Sequence, residues 1–207
     1  MKHLVHNLII LDESGSMESI KKPTIQSFNE IIQTAKAMEA QFPEQEHRVS
    51  FITFNGAGRK VHLWSQPVAE ATLIDENKYQ PDASTPLYDA MGFAVSKLHT
   101  ELSDVKEYNV LVTIFTDGEE NASVEWKRTD IKKLVEKLQQ KGWTFTYIGT
   151  DHNVQTAATH ISITNTISFS KDEAGLREVM LEERNARQRF NQKIRDKEDT
   201  SKDFYKN

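Results

Sequence analysis

Three short segments bring together side chains that could hold a hard metal ion. They are Asp12-Glu13-Ser14-Gly15-Ser16-Met17, Ala83-Ser84-Thr85-Pro86-Leu87-Tyr88-Asp89-Ala90 and Thr116-Asp117-Gly118-Glu119-Glu120-Asn121. Each is rich in carboxylates and hydroxyls, none contains histidine, and the chain has no cysteine. Oxygen-only ligands suit a cation such as Mg²⁺. Taken singly, each segment also has an ordinary structural reading. Asp, Ser and Gly favour turns, Thr-Pro is common where a helix starts, and Asp-Gly often follows a strand. Their joint occurrence, in order and at the ends of strands, points to a metal site.

The surrounding pattern alternates between two hydrophobic periods. Val5 to Leu11 reads as a strand, and Ile25, Phe28, Ile32, Ala35 and Met38 recur at helical spacing up to Gln41-Phe42-Pro43. Val49–Phe54 is strand-like and stops at Asn55-Gly56-Ala57-Gly58, which predicts a hairpin to Val61–Trp64. Residues 66–86 carry three prolines and read as a long surface loop with one helical turn. Leu87, Met91, Ala94, Val95, Leu98 and Leu102 form one apolar helical stripe, followed by the strand Tyr108–Phe115. A helix capped by Thr129 and closed near Gly142 leads to the strand Trp143–Ile148. A half-buried strand is expected over Ile161–Phe169, and a last helix from Lys171 to about Lys197, its apolar stripe thinning after Met180. The expected fold is α/β: a doubly wound, mostly parallel central sheet with one antiparallel edge strand and helices on both faces. Residues 1–195 would form the domain, and 196–207 a charged, frayed tail. In such sheets ligands bind beyond the carboxyl ends of the strands, where the three segments fall.

Composition narrows the function. The 207 residues carry 26 Lys and Arg against 31 Asp and Glu, a net charge of −5, which gives no support to a nucleic-acid or anionic-membrane binder. A mean hydropathy of −0.62 and the lack of a long apolar run argue against a membrane-spanning chain. His6 and Asn7 interrupt the first apolar run and Asp12-Glu13 end it, so it reads as a buried strand and not a targeting segment. A cytoplasmic location is the expectation that follows.

The three segments resemble the von Willebrand factor A domain family, whose metal-ion-dependent adhesion site joins an Asp-x-Ser-x-Ser motif to a distant Thr and a distant Asp. Asp12, Ser14 and Ser16 match the first element, Thr85 the second and Asp117 the third. The resemblance covers roughly residues 3–190, and its wording looks more like bacterial intracellular members than integrin or matrix members. It implies direct binding of the ion by Ser14 and Ser16 and contact through water at Asp12. Thr85 and Asp117 would exchange direct and water-mediated roles as the domain changes state, with the last helix responding. Mg²⁺ is the expected ion, with Mn²⁺ or Ca²⁺ as substitutes. Because hydroxyls are neutral, two carboxylates only balance the ion's charge, leaving it electrophilic enough to take an Asp or Glu oxygen from a partner protein. Intracellular relatives often work beside AAA+ ATPases or in stress-response complexes such as tellurite resistance. No motif speaks to the oligomeric state.

The rival reading is a Mg²⁺-dependent phosphohydrolase with Asp12 as nucleophile. Such enzymes place a second Asp two residues on, where this chain has Ser14, which does no acid–base work near neutral pH. Neither a phosphate-binding loop of the Gly-x-x-x-x-Gly-Lys type nor a Gly-x-Ser-x-Gly elbow occurs. Non-enzymatic binding is therefore expected. The seven histidines are scattered without metal-like spacing. Glu13, Glu119 and Glu120 read as solvated loop carboxylates, and Asp89 as a first-turn acid favoured by its helix dipole.

Overall fold

The computed structural model describes residues 2–150 and 154–206; Met1, Asn207 and His152, one of the scattered histidines, lie outside them. The chain runs through β1 (His3–Asp12), a 3-10 turn at Gly15–Ile20, α1 (Lys21–Gln41), β2 (Gln45–Asn55) and β3 (Gly58–Pro67). It continues through α2 (Leu87–Glu101), β4 (Tyr108–Thr116), α3 (Arg128–Gln139), β5 (Trp143–Thr150), α4 (Val154–His160), β6 (Asn165–Phe169) and α5 (Glu173–Asp196). The strands form one sheet in the order β3-β2-β1-β4-β5-β6. Only the β2–β3 hairpin is antiparallel, as its glycine-rich link predicts.

Alternation along the central strands builds two apolar layers. Leu8 and Ile10 of β1 face α2, α3 and α4, together with Val112 and Ile114 of β4. Ile9 and Leu11 face the opposite way, against α1 and the first turns of α5. A strand buried on both faces must be apolar at nearly every position, which explains the run Val110–Phe115, broken only by Thr113.

Five expectations change in detail. Only Asn165–Phe169 is strand, preceded by the short α4. Ile161 and Ile163 are buried in the turn after α4, where Ser162 takes a φ of 61°. Two buried residues flanking a polar turn residue mimic a strand's period. Helix α3 starts at Arg128, so Thr129 lies inside its first turn, and Asp130 reaches back to accept from the Lys127 N–H at 3.3 Å. The 66–86 segment is no mere surface loop, since Val68, Ala71, Ile74 and Tyr79 are buried. Finally, α5 stays buried beyond Met180, through Glu183, Ala186, Arg187, Phe190, Asn191 and Ile194. Its stripe looked thin because two of those positions are charged. Arg187 donates to Glu183 at 2.9 Å, Asn7 at 2.8 Å and Thr113 at 2.8 Å, and the Tyr205 hydroxyl donates to Glu183 at 2.7 Å. The tail expected to fray instead carries buried Thr200, Ser201 and Phe204.

Two histidines inside the sheet make stability depend on pH. His6 shares a 2.9 Å hydrogen bond with Ser50, and His47 a 3.2 Å one with Gln45. Burial pushes each imidazole down to about 4. Between about pH 6.5 and 4 the unfolded chain therefore binds protons that the folded chain refuses, so stability present above pH 6.5 is lost on acidification. Lowering the pH from 7 to 5 should cost about 2 kcal/mol per histidine. Urea titrations at the two pH values check this, and an unchanged or rising midpoint at pH 5 would contradict it.

Candidate metal centre

The chain leaves β1 toward one edge of the sheet and leaves β4 toward the other. The adjacent carboxyl ends of these strands therefore open a crevice at the topological switch point. Asp12 is the last residue of β1, and Asp117 directly follows β4. The Thr85 loop is held beside them by backbone bonds. Gly15 N–H donates to Ala83 C=O at 3.0 Å, and Asp82 N–H to Glu13 C=O at 2.9 Å. The structure thus brings all five predicted residues into one cluster. The Ser14 and Ser16 hydroxyl oxygens stand 3.3 Å apart, and Ser16 donates to Asp117 Oδ1 at 2.5 Å. Gly118 marks the centre. A Cβ built there would lie 3.5 Å from Thr85 Oγ1, 3.6 Å from Ser16 Oγ and 4.0 Å from Asp12 Oδ2. A Cβ there would make only ordinary van der Waals contact, so the distances show that these three oxygens surround one point beside Gly118.

Asp12 is fully enclosed, and burial pushes its carboxyl up to about 6. The Thr116 hydroxyl at 2.6 Å and the Ser14 N–H at 2.7 Å oppose that shift, while the nearby Asp117 charge adds to it. The Asp117 side chain is enclosed too. Lys171 Nζ lies 2.9 Å from its Oδ2, but off-axis, so this buried oxygen accepts no directed hydrogen bond.

The cluster fits a small divalent ion. Two oxygens bound at right angles about 2.1 Å from one Mg²⁺ stand about 3.0 Å apart, between the 3.3 Å and 2.5 Å spacings along the Ser14–Ser16–Asp117 chain. The donor set is hard, and one buried carboxylate oxygen lacks a directed partner. Among the described residues no three His, Cys, Asp or Glu side chains gather as a metal group. The cluster differs from such groups in offering two carboxylates with three hydroxyls.

Residues beyond the five hold the site in place. The Tyr79 hydroxyl donates to the Asp12 carbonyl at 2.6 Å. Thr85 exchanges bonds with Asn121, its N–H donating to Oδ1 at 2.9 Å and its carbonyl accepting from the Asn121 N–H at 3.2 Å. Asp89 does more than favour a helix dipole. Its carboxylate accepts from the N–H groups of Val124, Glu125 and Trp126 at 2.9, 2.9 and 2.7 Å, pinning the loop after Asp117. Glu120 is likewise structural, accepting from Tyr88, Ala122 and Ser123. Glu13 is buried against Lys60 at 2.9 Å and the Gln80 N–H at 2.6 Å. The expectation of solvated carboxylates fails for Glu13 and Glu120 because each loop supplies N–H donors that need an acceptor. Thr116 and Asn121 sat within the quoted motif, whereas nothing in the sequence marked Tyr79 or Lys171.

Comparison with known proteins gives a consistent picture. The profile for the von Willebrand factor type A domain matches residues 8–182. No curated protein sequence matches significantly. Similar solved structures include a von Willebrand factor type A protein from Catenulispora acidiphila, with TM-score 0.54 and 14% identity over 90% of this chain. Proximal thread matrix protein 1 from the mussel byssus gives TM-score 0.53 and 14% identity over 86% of this chain. The SpRpn10 VWA domain gives the same TM-score, identity and share of this chain, and is itself 94% covered. The chain spans 43% and 44% of the first two proteins. At 14% identity these likenesses show the fold alone.

Proposed function

The chain belongs to the von Willebrand factor type A domain family, and on that premise we propose that it binds a partner protein through a divalent ion at its oxygen cluster. Domains of this family are protein-interaction modules in general. The observation that carries the proposal is the convergence of Asp12, Ser14, Ser16, Thr85 and Asp117 around Gly118. Ser14, Ser16 and Thr85 would supply neutral ligands, and Asp12 and Asp117 the compensating charge. Bound there, Mg²⁺ or Mn²⁺ supplies an electrophilic position that accepts a carboxylate oxygen from an Asp or Glu of the partner. The chain's own part is to fix the hydroxyls, through Tyr79, Asn121 and Asp89. The proposal sets the module in the cytoplasm of a bacterium, beside an AAA+ ATPase or in a stress-response complex. No described helix is long and apolar enough to cross a membrane.

A phosphohydrolase reading finds no support in the motif. The residue two after Asp12 is Ser14, so no carboxylate stands in the acid–base position that such an enzyme needs.

An ion that binds only the native state stabilises it by mass action. At about 100 times its dissociation constant, Mg²⁺ should raise the melting temperature by roughly 5–10 °C. EDTA should reverse the shift. A melting temperature that ignores millimolar Mg²⁺, with a silent titration calorimeter, would remove the proposal.

A further inference from the structure

We propose that Lys171 is a built-in cation of this site, competing with the divalent ion for Asp117 and so setting the site's affinity. The inference rests on the metal-binding reading above and adds a residue to it. Lys171 Nζ stands 2.9 Å from Asp117 Oδ2, with the lysine side chain 38% exposed and the aspartate side chain fully enclosed. The ammonium therefore reaches in from the rim to a carboxylate that solvent does not touch.

The turn that bears Lys171 is anchored at its backbone. Asp172 caps α5 by accepting the Gly175 N–H at 2.7 Å, and its own N–H donates to the Ser170 carbonyl at 2.6 Å. A Cβ on Gly175 would come within 2.9 Å of the Ser170 N and O, so only glycine lets the helix start this close to the strand end. Lys171 lies between these anchored residues. The β6–α5 junction thus sets the Lys171 backbone within reach of Asp117, and the flexible stem spans the remaining distance.

The chemistry of competition follows from the charges. A lone Asp117 would offer a full negative charge to an incoming ion, but with Lys171 beside it much of that attraction is already met. Because the ammonium lies off-axis on Oδ2, the contact is electrostatic without a directed hydrogen bond. A doubly charged ion can therefore displace it at small loss. Lys60, also at this end of the sheet, is held by Glu13 at 2.9 Å and does not share the role. Displacement would free the ammonium two residues before α5 begins, where a partner's second acidic group could meet it.

The test titrates Mg²⁺ by calorimetry into the full chain as wild type, Lys171→Met and Lys171→Arg. The methionine variant, similar in length but uncharged, should bind about tenfold more tightly, the scale of one partly enclosed ion pair. The arginine variant keeps the charge and should stay within about threefold of wild type. In wild type, acetylation of Lys171 by an amine-reactive reagent, read by mass spectrometry, should speed up when Mg²⁺ is added. Wild-type binding with a methionine variant no tighter would overturn the role of Lys171 and leave the metal site standing. Absence of Mg²⁺ binding in all three proteins would overturn both.

Discussion

Asp117→Ala should weaken Mg²⁺ binding by at least about 100-fold, above the roughly 10–100-fold cost of losing a group that merely supports a ligand. The substitution removes one of only two negative charges in the cluster and the acceptor that orients the Ser16 hydroxyl. Fold stability should change little. The Asp117 side chain contacts Ser16 and Lys171, and its backbone carbonyl, untouched by the change, keeps its 3.0 Å bond from the Thr150 hydroxyl. Lys171, freed of its partner, can turn to water. Ser14→Ala removes a neutral ligand and should have a smaller effect in the same direction. Calorimetry measures the loss, and circular dichroism checks the fold. Global unfolding of either variant, or undiminished Mg²⁺ affinity, would break the assignment.

Arg187→Met should destabilise the protein by about 3–5 kcal/mol, the range found when one member of a buried ion pair is removed. Glu183 would stay enclosed with its charge met only by the Tyr205 hydroxyl. Asn7 and Thr113 would each lose a donor at 2.8 Å. Urea denaturation reads the change directly, and a loss below about 1 kcal/mol would mean that the network relaxes or admits water. This pair also bears on motion of the last helix. The resemblance implies that the last helix responds to the state of the site. In the structure, sliding it along the sheet would strip Arg187 of Asn7 and Thr113, so the second half of α5 is anchored by polar groups. The first turns, next to Lys171, rest on the apolar contacts of Leu176, Val179 and Met180.

The parts of the fold visible in the sequence were those governed by local periodicity. The apolar alternation of β1, the near-continuous run of β4 and the stripe of α2 each follow from which face must be buried. The clustering of the candidate oxygens was legible for a similar reason, since Asp12, Ser14, Ser16, Thr85 and Asp117 all lie within a few residues of a strand end or helix start. What escaped depends on partners distant in sequence. A lysine at 171 looks like any solvated charge until the β6–α5 turn carries it to Asp117. Glu183 and Arg187 read as a polar face because hydrophobic patterning cannot see that they satisfy each other, Arg187 with further help from Asn7 of β1 and Thr113 of β4 and Glu183 from the Tyr205 hydroxyl. Tyr79, in a segment with no strong period, packs into the core on the α1 side of the sheet, where its hydroxyl donates to the Asp12 carbonyl.

The most direct test of the metal site is a crystal of the protein grown with Mn²⁺ and measured for anomalous scattering. One strong peak should appear among the Ser14, Ser16 and Thr85 hydroxyls and the Asp12 and Asp117 carboxylates, and it should vanish in the Asp117→Ala variant. A wild-type crystal with no peak there, or with Mn²⁺ bound only elsewhere, would contradict the account.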